Sequence, residues 1–161
     1  MNSQQGSKFY IFGITLVATI GGLLFGYDTA VISGAVDSLK TVFHLDDATF
    51  GGMAEFYHGA TVSSALIGCI VGSAFSGIFA EKLGRKNSLL LAAIMFFISA
   101  LGAAYPEVLF FEKGDGSVPV LIAFNIYRVI GGIGVGLASA ICPMYIAEIA
   151  PADIRGKLVS W

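Results

Sequence analysis

The stretch FYIFGITLVATIGGLLFGYDTAVISGA, residues 9–35, is apolar from end to end except for one carboxylate, Asp28. An apolar helix of about 20 residues, rising 1.5 Å per residue, crosses the roughly 30 Å hydrocarbon core of a bilayer. This run is long enough to do so. An ionised carboxylate near the bilayer centre costs roughly 2.5–3.5 kcal/mol on insertion scales. A second charge, Arg128, sits in a later apolar run. Opposite charges inside a membrane usually face a cavity or each other, and they mark ion or substrate paths.

Composition agrees with a membrane setting. Of the 161 residues, 56% are hydrophobic and 12% charged, against roughly 25% charged in a soluble domain. Mean hydropathy is +0.82. These values exclude a soluble enzyme. The formal net charge is −2 and no basic stripe runs along the chain, so nucleic acid is not an expected partner. Cys69 and Cys142 both lie in apolar runs and read as small apolar residues, not as a disulfide or a metal site. No metal or cofactor is expected. The first run is longer than the roughly 7–15 residues of a signal-peptide core, and it reads as a retained helix.

Four runs reach spanning length: 9–35, 56–80, 88–105 and 118–146. In lipid the backbone must satisfy its own hydrogen bonds, so each is predicted to be a helix. The expected class is an all-α integral membrane protein. A fifth helix is expected to begin near residue 158, so that residues 1–161 read as part of a larger protein. With the N-terminus in the cytoplasm, Lys8, Lys82, Arg85, Lys86, Arg155 and Lys157 fall inside. Only Lys40 and Lys113 fall outside, and that bias predicts a cytoplasmic N-terminus.

Small residues recur on the helices. Gly22 and Gly26, Gly68 and Gly72, and Gly132 and Gly136 each stand four apart, a spacing that lets helix backbones approach closely. The run from Gly131 to Gly136 imitates a dinucleotide-binding loop. It lies within an apolar helix instead of between a strand and a helix, which excludes that reading.

Asp28 stands about seven residues from the outer end of its run, roughly 10 Å deep. Arg128 stands about ten residues from the outer end of its own, roughly 15 Å deep. The two can meet if their helices are neighbours. A static buried ion pair that fixes packing is one reading. A proton carrier is the other, in which Asp28 takes a proton and releases Arg128. Phe25 and Tyr27 flank Asp28 and serve either as packing or as a stacking face for a sugar ring. At the cytoplasmic side the segment from Gly77 through Glu81, Gly84 and Arg85 to Lys86 makes a compact charged turn. Glu148, near the same face, can pair with Arg85 or with Arg155, and such a pair at a helix end can latch one conformation.

These same residues carry a resemblance. Residues 21–34 resemble the first-helix signature of the sugar porter family of the major facilitator superfamily. The Gly77–Lys86 segment resembles that family's loop between helices two and three. Tyr127 and Arg128, followed by Gly131 and Gly132, resemble its fourth helix. Pro143, Tyr145, Glu148, Pro151, Arg155 and Gly156 resemble the loop after it. Glu81 departs from the pattern, since the family usually has Asp there.

The resemblance implies the N-terminal part of a twelve-helix transporter working by alternating access. It implies proton-coupled symport of a monosaccharide, D-xylose or a related pentose or hexose, across a bacterial inner membrane. In that setting Asp28 and Arg128 match the proton-coupling pair, and Phe25 a residue lining the sugar site. Arg85, Glu148 and Arg155 match an inner-gate charge network. The implied partners are the sugar, protons, lipid and the remaining helices of the transporter. A facilitative uniporter, a non-transporting truncated fragment, a small assembling pore and a non-transporting sugar receptor are the competing readings; an acid at position 28 favours proton coupling over the first.

Overall fold

The computed structural model describes residues 8–34, 38, 41, 54–105, 118–151 and 154–159. Among them every element is helical: α1 Lys8–Gly34, α2 Ala54–Lys82, α3 Arg85–Ala104, α4 Val118–Ile149 and the short α5 Arg155–Val159. Three segments, Glu55–Lys82, Arg85–Ala104 and Val120–Ile149, are long and apolar enough to cross a membrane. Lys8 and Asp28 are the only charges in the 27 residues of α1.

The helices run further than the apolar runs. Reading spans from hydropathy stops at the first charge, whereas a helix can carry charged ends into the headgroup layer. Thus α3 starts at Arg85, not near 88, and α4 continues beyond 146 to Ile149. It does so through Pro143, which removes one backbone bond; neighbouring helices make such a loss tolerable in a membrane segment. The last helical turn begins at Arg155, not near 158.

One glycine among the described residues has a positive φ, Gly84 at +79°. Only glycine adopts this conformation without strain. It reverses the chain between α2 and α3 with just Leu83 and Gly84 outside the helices.

Helix α4 is the axis of the bundle. It packs along both α2 and α3, which scarcely touch one another, and α1 lies against it more lightly. The glycine run explains how α4 serves two neighbours at once. A Cβ on Gly132 or Gly136 would strike the backbone of α2 at Ala65 or Cys69, and one on Gly131 or Gly134 would strike α3 at Ser99 or Ala92. Gly68 and Gly72 of α2 complete the seam, meeting the carbonyls of Val129 and Ile133. Gly26 of α1, by contrast, has nothing among the described residues within 4 Å of an added Cβ.

Two apolar clusters fill the bundle. Leu137 and Ile141 are fully buried with Ala80 and Ala92 at the end where α2 turns into α3. Ile32, Val120, Leu121 and Phe124 pack at the other end. Outside, Ile67, Ile70 and Phe75 of α2 and Ile94, Phe97 and Leu101 of α3 are exposed. A surface so apolar suits a hydrocarbon solvent.

Candidate functional site

Charge collects at the end of the bundle where α2, α3 and α4 meet. Arg85 is the first residue of α3 and Glu148 lies in the last turn of α4. Each sits at the helix end whose partial charge has the same sign as its own, which disfavours it there. They compensate by pairing. Arg85 Nη2 lies 2.8 Å from Glu148 Oε1, and Arg85 Nε donates to the same oxygen at 3.0 Å. The third guanidinium nitrogen, Nη1, donates to the Ala80 carbonyl at 3.0 Å. Arg85 therefore places its charge against the C-terminal end of α2, where a cation is favoured.

Arg155 does the same for α4. Its Nε and Nη2 donate to the Ala150 carbonyl at 3.3 and 3.2 Å, and α4 ends one residue earlier at Ile149. Of the two arginines suggested for Glu148, the structure joins it to Arg85 and turns Arg155 to the backbone. Glu81 and Lys86 are exposed. Gly77 is exposed too, with nothing within 4 Å of an added Cβ.

The second locus is a cavity of about 190 Å³ between the helices, lined by Tyr27, Ala65, Phe96, Ser99 and Arg128 among others. Arg128 is 8% exposed. That a charge lies buried on α4, facing a cavity against α1, is the arrangement expected of a functional intramembrane charge. Asp28 and Phe25 belong to α1, but their side chains lie outside the described residues, as does any contact they make. Tyr27, next to Asp28 in sequence, brings that part of α1 to the Arg128 cavity.

Several polar residues escaped the sequence reading. Asn125, one turn before Arg128, donates from Nδ2 to Thr61 Oγ1 at 3.3 Å, and fully buried Thr61 donates to the Tyr57 carbonyl. This is a cross-helix bond at the far end of the glycine seam, and an asparagine in an apolar run is a usual signal for one. Asn125 Oδ1 and the Tyr127 hydroxyl are buried with no hydrogen-bond partner among the described residues. The Tyr127 ring occupies the space left by Gly102.

Comparison with known proteins adds the family. The model of the sugar (and other) transporter family matches residues 14–161. The D-xylose-proton symporter of Escherichia coli is 58% identical over 167 aligned residues, covering 100% of this chain and 34% of that protein. The glucose facilitated diffusion protein of Zymomonas mobilis is 39% identical, covering 98% of this chain and 33% of its own length. Among solved structures, a major facilitator superfamily proton:xylose symporter bound to 6-bromo-6-deoxy-D-glucose superposes with a TM-score of 0.82 at 56% identity. That match covers 96% of this chain and 34% of the other. The chain thus spans about a third of the length of the relatives it matches.

Proposed function

The chain belongs to the sugar (and other) transporter family, and from that premise we propose that it is the N-terminal part of a proton-coupled monosaccharide symporter. It has the helix bundle of the major facilitator superfamily, and the family points to transport, not to enzyme chemistry. The carrying observation is the buried Arg128 lining a cavity beside Tyr27 of α1, one residue from the membrane carboxylate Asp28.

In this reading Asp28 is the proton carrier. Ionised, it is held by the Arg128 charge; protonated, it loses that attraction and the cavity changes shape. Phe25 offers an aromatic face to the sugar, for which D-xylose is the first candidate given the 58% identical relative. The rest of the sugar site and the second wall of the cavity come from the remaining helices of the transporter. A volume of about 190 Å³ is below the roughly 300–1,000 Å³ usual for small-molecule sites, consistent with a wall supplied from elsewhere. The chain sits in a bacterial inner membrane with its N-terminus in the cytoplasm.

Arg85, Glu148 and Arg155, with the turn from Gly77 through Glu81 and Gly84 to Lys86, form the inner gate. The side chains of Arg85 and Glu148 are 33% and 45% exposed, and an exposed ion pair contributes about 0.2–1 kcal/mol. Such a latch biases the outward-facing state yet breaks in every cycle. A pair worth several kcal/mol would hold the transporter in one state.

Facilitated diffusion is the second reading, favoured by the 39% identical relative. Sugar-induced proton movement separates the two. Adding D-xylose to de-energised cells that express the full-length transporter should make the medium alkaline as protons enter with sugar. Saturable xylose uptake without any alkalinisation would assign uniport instead.

A further inference from the structure

We infer that Ser88 is the positioning residue of the cytoplasmic latch: its buried hydroxyl fixes the turn from which Arg85 reaches Glu148. The inference rests on the gating role proposed for that pair. Ser88 is fully buried, at 0% exposure, in a region where its neighbours Lys86 and Asn87 are exposed. Its single hydroxyl proton is shared between two carbonyls, those of Phe79 and Gly84, each at 2.9 Å. One carbonyl belongs to the last turn of α2 and the other to the residue at positive φ just before α3. The hydroxyl therefore ties together the two sides of a turn whose pivot is a glycine.

Arg85 depends on that tie at both ends. Its backbone follows directly from Gly84, and its Nη1 bonds the Ala80 carbonyl, next in sequence to the Phe79 carbonyl that Ser88 holds. With both anchors fixed, Nε and Nη2 are left aimed at Glu148. Without the hydroxyl, the Gly84 pivot gains freedom and the half-buried Arg85 side chain spreads over more orientations. The helix itself keeps its bonds, since Ser88 N still donates to the Gly84 carbonyl at 3.1 Å and alanine is a better helix former than serine. The loss falls on aim more than on folding.

The test is a double-mutant cycle in the full-length transporter. Spin labels across the cytoplasmic entrance report the ratio of inward-open to outward-open molecules. Glu148→Gln should raise that ratio by up to about fivefold, the limit for an exposed pair. Ser88→Ala should raise it by about two- to fivefold, and should add nothing in the Glu148→Gln background. A serine with a merely structural role would give the same shift in both backgrounds, and that result, or no shift from Ser88→Ala while Glu148→Gln alone does shift the ratio, overturns the inference. No shift from Glu148→Gln would instead remove the latch on which it rests.

Discussion

Arg85 carries its charge to the end of a helix it does not belong to. One guanidinium caps α2 through Ala80 and holds α4 through Glu148, while the residue itself starts α3. Three helices thus converge on one side chain. A planar fork with five donors can do this; a lysine ammonium, with one point of attachment, cannot reproduce the spread. Arg85→Lys should therefore raise the inward-open fraction of the full transporter toward the roughly fivefold limit for losing the pair, although the charge is kept. An unchanged fraction would mean that charge alone matters there. From the sequence, Glu148 had two possible arginine partners, Arg85 on the far side of two apolar runs and Arg155 in the segment just after it. The choice between them depends on α4 remaining helical past Pro143, which sets the direction of Glu148, and on Arg155 turning to the Ala150 carbonyl. Neither is visible in residue spacing. Ser88 was equally hidden, because nothing in a lone serine says that its hydroxyl will bridge a turn.

At the level of elements, small residues decide which helices touch. Two of the three glycine pairs, Gly68 with Gly72 and Gly132 with Gly136, lie in one seam where the obstacles to a side chain are carbonyls of the facing helix. Backbone cannot rotate out of the way as a side chain can. Gly132→Val should therefore cost the full transporter at least the roughly 1–3 kcal/mol of overpacking, read as a lower melting temperature with no change in the expressed sequence otherwise. A melting temperature equal to the parent's would contradict the seam. The spacing of these glycines was legible from the sequence, but their partners were not. Four-residue spacing shows that a helix has a smooth stripe, not which neighbour lies on it, and so Gly26, with the same spacing, meets no neighbour among the described residues. Its spacing mate Gly22 lies outside the described side chains. The all-helical class, with three spans long and apolar enough to cross a membrane among the described residues, was legible because lipid demands apolar length, while the helix ends were not, since charged residues at the headgroup layer extend helices beyond the apolar run.

At the scale of the whole molecule, the distribution of Lys and Arg predicts a cytoplasmic N-terminus. A cysteine placed at position 40 should react with a membrane-impermeant reagent added outside intact cells, and one at position 86 should not. Labelling at position 86 from outside would invert the topology and with it the assignment of the latch to the cytoplasmic gate. In the proposed mechanism a carboxylate in the first helix couples sugar to protons by engaging a buried arginine on the fourth. The most direct measurement is uphill uptake of labelled D-xylose by energised vesicles carrying the full-length transporter with Asp28→Asn, alongside xylose exchange at equilibrium. Accumulation above the external concentration should be lost while exchange remains measurable, because the amide keeps the shape of the site and cannot carry the proton. Accumulation at the parent level in that variant would contradict the mechanism.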